Sequence, residues 1–450
     1  MRRRLLSLCA VLCMALVVMA EGKAKYVFYF IGDGMGVNQV NGTETYMAAV
    51  EGRIGTSPLC FAQFPYVGLV TTYSGTNGVT DSAAGGTALA TGNKTKNGAL
   101  GVKADLTTRI NSIAALAKSE GKAVGVTTSV SVDHATPASF YAHVKDRNMY
   151  HQIGKDLIAA GFDFYAGSDF LQPENSELSG NKNLYTQCRE AGYTIARGYA
   201  DYRKKAKKAG KMLLLQTETA SKADRTSIPY AIDRQKNDLA LQDITRAAIH
   251  FLSQKDTDGF FLMVEGGKID WACHANDAAS TITDTIALDN AVEKAVEFYN
   301  EHPEETLIIV TGDHETGGLT IGFAGTDYDT FLKNFENQKI SYAKYDSDYV
   351  SAYKEKKTDF DTVMEDVTEL FGLQAPAGAE REATQQKDSA DQHPESDNNG
   401  ALVMTEYEYS QLKSAYETTM SRTGEEEEFA QDLAQMERQS QLLLQVILRF

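Results

Sequence analysis

The 450-residue chain is short of several things. It has one tryptophan, eight prolines and five cysteines, and two of the cysteines, Cys9 and Cys13, fall near its start. Cys60, Cys188 and Cys273 remain, too few and too widely spaced for a disulfide framework. One bridge stays open in an oxidising compartment, and the sequence does not assign it. Positive charge is also scarce. Lys and Arg number 44 against 61 Asp and Glu, for a formal net charge of -17. A surface of that sign repels nucleic acid and anionic membrane, so nucleic-acid binding is not expected. An anionic ligand must instead be gathered by a local cluster of metal or arginine.

What is present begins with Arg2, Arg3 and Arg4, an apolar stretch from Leu5 to Val18, and Val18-Met19-Ala20. This order of basic start, apolar core and small-residue site predicts a secretory signal over residues 1–20. The stretch is shorter than the roughly 20 residues a membrane span needs, and no second such run follows. The mature chain is expected to be exported, periplasmic or extracellular, without a span and with three fewer positive charges.

Short apolar, β-rich runs then recur with helical stretches between them: Tyr26 to Ile31, Ala123 to Thr128, Phe162 to Ala166, Lys211 to Leu215, Gly259 to Val264 and Thr306 to Thr311. Continuous apolar runs suit strands buried on both faces, and the alternation predicts an α/β fold with a mostly parallel sheet. Ile110 to Glu120 and Ile282 to Tyr299 space their apolar residues three and four apart, as covering helices do. Thr326 to Leu373, rich in tyrosine, lysine and aspartate, is expected to form a helical insertion on a catalytic region of residues 21–373. Residues 374–400 turn polar and read as a linker or loop, and 401–450 as a helical remainder. The basic run Arg203 to Lys211 and the acidic run Glu425 to Glu428 read as solvated helix faces.

Open α/β sheets bind ligands outside the carboxyl ends of their strands, and four of these runs end in groups that can hold a metal. Tyr26 to Ile31 leads to Asp33, and Ala123 to Thr128 to His134 and Thr136. Gly259 to Val264 leads to Glu265, with Asp270 and His274 soon after, and Thr306 to Thr311 to Asp313-His314-Glu315. Singly, each is an ordinary turn or cap; together at one rim they point to an ion site. Oxygen and nitrogen donors without thiolate suit zinc or magnesium. Asp270 and His274, four apart, share one helical face.

Ser82 follows a loop rich in glycine, serine and threonine and precedes the small, helix-compatible Ala83 to Ala90. Its hydroxyl is therefore expected at a helix N-terminus, where an anion is favoured. No histidine is near it in sequence, so metal ionisation of the hydroxyl fits better than a Ser-His-Asp arrangement. Arg147 offers a planar fork to phosphate.

The runs IGDGMG, VTDSAAGGTALATG, HATPASFYAHVKDRN, GFFLMVEGGKIDWACH and TLIIVTGDHETGG, in this order and spacing, resemble the alkaline phosphatase family. The resemblance implies a three-layer α/β/α fold around a large, mostly parallel central sheet and hydrolysis of small phosphate monoesters through a phosphoserine on Ser82. It implies that Asp81 orients Arg147, which clamps two phosphate oxygens, and that Asp33, Asp313 and His314 hold one Zn2+. Asp270 and His274 would belong to a second Zn2+, and Asp33, Thr136 and Glu265 to Mg2+, whose waters His134 supports. It also suggests a homodimer. The positions of His134 and Trp271 vary in the family, some members having aspartate and lysine there.

The chain departs from the family pattern near its end. A further zinc-ligand histidine, followed by Ser or Thr and Gly, has no counterpart: the last histidine is His393, within the polar stretch, and the sequence closes on the apolar residues 441–450. A truncated or altered C-terminus is the reading adopted, and with it comes an expectation of a weakened second zinc site. The alternatives kept open are a phosphodiesterase or sulfatase of related fold and a catalytically impaired phosphate- or metal-binding homologue.

Overall fold

The computed structural model describes residues 24–174, 183–255, 257–322, 330–376 and 402–421. The expected signal, most of the polar stretch with His393, and residues 422–450 lie outside them.

Seven parallel strands form the main sheet: β1 (Tyr26–Gly32), β2 (Ala123–Thr128), β3 (Phe164–Gly167), β4 (Tyr193–Arg197), β5 (Lys211–Leu215), β6 (Phe260–Gly266) and β7 (Thr306–Gly312). They lie in the order β4-β5-β3-β2-β6-β1-β7. Alternate side chains leave opposite faces of a strand, and here each face is apolar. Phe28, Phe30, Met212, Leu214, Phe260 and Leu262 pack on one side; Ile31, Leu213, Leu215, Phe261 and Met263 pack on the other. Helices cover both faces, giving three layers, α/β/α.

Among the helices that bear on the site or on these layers are α1 (Val37–Val50), α2 (Ser82–Thr91), α3 (Leu241–Leu252), α4 (Lys268–His274) and α5 (Ala278–Glu301). Ile244, Ala248, Leu288 and Val292 of α3 and α5 close the first core, while Ala83 and Ala90 of α2 belong to the second. Small residues let α2 lie close to its neighbours: a side chain at Gly86 would meet Ser139 Oγ at 2.8 Å.

The strands differ from the sequence reading in three places. β4 was not expected; it is a five-residue edge strand of mixed burial, without the continuous apolar run that marks a central strand. β3 starts after Asp163, whose carboxylate accepts the Val124 N–H and the Lys118 ammonium. β7 is not buried on both faces. It is the other edge strand, with Leu307 and Ile309 44% and 38% exposed.

Beyond the sheet, residues 332–371 are largely helical and form a third apolar cluster, in which Tyr345, Val363 and Val367 meet Leu412 and Ala415 of the helix Glu406–Ser421. A two-residue parallel ladder, Leu373–Gln374 against Leu402–Val403, ties these parts together. The cluster is held to the sheet layers by hydrogen bonds: Ser341 Oγ donates to Asp233 Oδ2 at 2.5 Å, and Gln338 Nε2 to Asp277 Oδ1 at 2.8 Å. Among the described residues no helix is long and apolar enough to cross a membrane.

Candidate active site

Strand order explains why residues so distant in sequence meet. β2, β6, β1 and β7 are consecutive in the sheet, so their carboxyl ends form one continuous rim. Asp33 follows β1, Glu265 is the last residue but one of β6, Asp313 and His314 follow β7, and the segment holding His134 and Thr136 follows β2. Register fixes the depth: Ile31 pairs with Glu265 and with Thr311. Asp33, Thr136, Glu265 and Asp313 are fully or nearly fully buried.

Ser82 is the first residue of α2, and Asp81 is its cap, accepting the Ala84 N–H at 2.9 Å. The Ser82 and Ala83 N–H groups have no partner within the helix, which suits an anion held there. Ser82 Oγ stands 3.4 Å from Asp33 Oδ1 and 3.3 Å from His314 Nε2. The same Asp81 carboxylate accepts the Gly98 N–H at 2.9 Å and pairs with the Arg147 guanidinium at 3.2 Å. Arg147 also donates toward His134 Nε2 at 3.4 Å, and the rings of His134 and Trp271 meet edge to face at 5.6 Å. The residue that caps the helix begun by Ser82 therefore also orients the arginine.

Two groups of three side chains bring their ligand atoms within 4.8 Å of one another: Asp33 with Asp313 and His314, and Asp33 with His134 and Glu265. Asp33 belongs to both. Thr136 Oγ1 lies 3.3 Å from Asp33 Oδ2 and 3.5 Å from Asp313 Oδ2, so a hydroxyl oxygen joins the carboxylates. Asp270 and His274, on α4, approach to 3.4 Å. Asp270 is buried, while the His274 side chain is 44% exposed. Among the described residues no further His, Cys, Asp or Glu makes a three-ligand group with this pair. The helix is anchored at its first residue, the buried Lys268, whose ammonium donates to Ser227 Oγ at 2.6 Å and stands 3.5 Å from the centre of the Tyr230 ring. Cys273 faces away from the ligands, toward Thr281 and Gln39.

Charge is badly unbalanced here. Burial raises the Glu265 and Asp313 carboxyls well above their ordinary values, and the nearby Asp33 adds to the effect. Asp270 is raised to about 6 for the same two reasons. Burial acts on Asp33 too, but the hydrogen bond and charge of His314 outweigh it and hold Asp33 at about 2. His314, opposed by burial but surrounded by Asp313, Asp33 and Asp270, rises to about 11. His134 falls to about 3 through burial and the Arg147 charge, so it stays neutral, as a ligand imidazole must. Within this cluster two buried atoms, His134 Nδ1 and Glu265 Oε1, have no hydrogen-bond partner among the described residues. Crowded carboxylates with orphaned donor atoms cost stability unless a cation joins them, and the oxygen and nitrogen donors suit zinc or magnesium. The residues present fit such ions.

Of the sequence candidates, Ser82, Asp33, Asp313, His314, His134, Thr136 and Glu265 converge, with Arg147 and Asp81 beside them and Asp270 and His274 on the flank. Glu315 does not join. Its carboxylate turns out of the cluster to accept from Gln39 Nε2 at 3.1 Å and the Gly318 N–H at 3.0 Å. Two residues that sequence reading passed over also belong. Thr316, inside the DHETGG run, has its hydroxyl between Asp270 and His314; a short-range signal existed, two positions from His314. Gln39, fully buried on α1, donates to the Thr316 carbonyl at 2.9 Å, and nothing in its sequence context marks it.

Comparison with known proteins bears on the chain's family and fold. The profile of the family described as Alkaline phosphatase matches residues 24–163 and 163–393. Alkaline phosphatase 3 of Bacillus subtilis (strain 168) is 33% identical over 335 residues, covering 74% of this chain and 68% of that protein. Alkaline phosphatase 4 of the same organism is 34% identical over 275 residues, covering 61% of this chain and 56% of its own length. The chain thus spans about half to two-thirds of these relatives. The solved alkaline phosphatase of the Antarctic bacterium TAB5 is 34% identical, with a TM-score of 0.59 over 67% of this chain and 82% of that one, and a variant of it is described with Mg bound in its M3 site. The family profile covers most of the chain, and solved members of the family share its fold: this chain belongs to the alkaline phosphatase family of enzymes.

Proposed function

We propose that the chain hydrolyses small phosphate monoesters by transferring the phosphoryl group first to Ser82 and then to water. The observation that supports this most is the placing of Ser82 Oγ between Asp33 and His314 at the start of α2, with Arg147 held alongside by Asp81. A nucleophile, a planar cation and a crowded set of buried carboxylates at one helix N-terminus suit a substrate with two negative charges.

Arg147 offers paired donors to two phosphate oxygens, and its bond to Asp81 fixes the fork before substrate arrives. The N–H groups at the start of α2 face the same anion and favour charge that develops as the phosphoryl group moves in line. Asp33, Asp313 and His314 would hold one zinc, Asp270 and His274 would belong to a second, and Asp33, Thr136 and Glu265, with His134 beside them, would hold magnesium. Bound there, such ions polarise phosphoryl oxygens and make hydroxyl and water better nucleophiles. Asp33 lies in both three-ligand groups and sets their spacing. The Asp270–His274 pair, with no third ligand grouped with it among the described residues, would by itself hold an ion less firmly than the usual three or four ligands.

Export to the periplasm or exterior and assembly as a homodimer remain part of this reading. The direct test is brief exposure of metal-loaded protein to inorganic phosphate at low pH, followed by peptide mass analysis. A phosphoserine on Ser82, absent from Ser82→Ala, is expected. Turnover of p-nitrophenyl phosphate should exceed that of its bis ester and fall by about 10⁴ or more in Ser82→Ala. Metal binding without phosphoserine would favour a binding protein, and faster turnover of the diester would favour a phosphodiesterase.

A further inference from the structure

Thr316 has no part in the chemistry above, yet its hydroxyl touches both flanks of the site. The residue is buried. Its Oγ1 lies 2.5 Å from Asp270 Oδ1 and 3.1 Å from His314 Nδ1. Donor and acceptor roles follow from elementary chemistry. A carboxylate oxygen only accepts, so the single hydroxyl proton goes to Asp270. His314 Nδ1 also stands 3.1 Å from the Glu315 carbonyl, another pure acceptor. His314 Nδ1 therefore carries a proton, shared between that carbonyl and the Thr316 lone pair, whether or not Nε2, which turns toward Ser82 and Asp33, is protonated as well.

The surroundings keep this bridge in place. The turn after β1 runs so close that only glycine fits: Gly34 has φ +67°, and a Cβ there would come within 2.7 Å of Thr316 Oγ1 and 2.8 Å of Asp270 Oδ1. Behind it, Gln39 Nε2 holds the Thr316 carbonyl at 2.9 Å and the Glu315 carboxylate at 3.1 Å, and approaches Cys273 Sγ at 3.6 Å. The loop after β7 and helix α4 are thus tied at both the hydroxyl and the backbone.

We propose that Thr316 is a positioning residue whose one hydroxyl couples the two halves of the site, locking the His314 ring and the Asp270 carboxylate so that an ion bound by one half prepares the other. This rests on reading the carboxylate and imidazole groups as cation sites. A ligand imidazole needs its other nitrogen held, and a ligand carboxylate its free orientation fixed; here one atom does both.

The test is zinc titrated into chelator-treated, full-length protein in competition with a chromophoric chelator, for wild type, Thr316→Val and Thr316→Ser. Thr316→Val keeps the shape and loses the hydroxyl. It should bind zinc roughly 10- to 100-fold more weakly, with kcat for p-nitrophenyl phosphate falling and KM changing little. Thr316→Ser keeps the hydroxyl and should stay within a few-fold of wild type in both readings. Wild-type zinc affinity in Thr316→Val overturns the proposal. So does a tenfold or greater loss in Thr316→Ser, whatever Thr316→Val does, because packing rather than the hydroxyl would then be at work. Wild type that binds no zinc would overturn the cation-site reading itself and this proposal with it.

Discussion

The two flanks of the site are built differently. Beside Ser82, the candidate ligand atoms come from the turns after adjacent strands β1 and β7, where register fixes their depth and burial excludes water from Asp33 and Asp313. On the other flank, Asp270 and His274 share one face of the two-turn helix α4, and His274 is nearly half exposed at the helix end. Ligands on strand ends inherit the stiffness of the sheet. Ligands on a short helix depend on what braces the helix, here Lys268 at its start and Thr316 beside it.

Asp33→Asn should show this contrast at its largest. Asp33 belongs to both three-ligand groups, so its loss weakens two ions together. Zinc affinity should fall by more than the roughly 100-fold typical of changes outside the ligand shell, and turnover with it. Asp270→Asn touches one ion and should cost less in both. Equal losses in the two variants, measured by zinc competition and steady-state kinetics, would mean the flanks do not differ in this way.

Arg147→Lys separates phosphate binding from the metal flanks. The guanidinium reaches the site through its bond to Asp81, and lysine keeps the charge but cannot present two parallel donors. A charged hydrogen bond is worth about 1.5–3 kcal/mol, so kcat/KM should drop by roughly 10- to 150-fold while zinc affinity stays unchanged. A loss of zinc binding would place the arginine in the metal site instead.

The same contrast governs what the sequence disclosed. The central strands are legible because each is a continuous apolar run, and the candidate ligands because four such runs end in acids or histidines at one rim. Strand order was not legible, and it alone explains why Asp33, Glu265 and Asp313 meet. Neither the edge strand β4 nor the exposed face of β7 is marked in the sequence, because edge position depends on the rest of the sheet. Asp270 and His274 could be paired from their spacing of four. Thr316 has only its closeness to His314 to mark it, and Gln39 nothing, since their roles rest on contacts across 46 and 277 residues of sequence.

Removal of metal should give the smallest effect, a shift in stability. An ion at 100 times its dissociation constant stabilises the folded chain by about 2.7 kcal/mol, and for a chain of this size that is a shift of several degrees in melting temperature at most. Chelation should lower the melting temperature of wild type by that much and of Asp33→Asn by far less. The metal-free chain should also respond to pH through Asp270, raised from 3.8 to about 6 by burial and by Asp33. Between those values the folded chain holds a proton that the unfolded chain has lost, so stability falls as pH rises through the window. Asn at this position cannot titrate. In chelator, wild type should therefore lose melting temperature relative to Asp270→Asn on going from about pH 4 to about pH 6. A constant gap between them would show that Asp270 is ionised throughout, and that the exposed flank is more open to water than its burial implies.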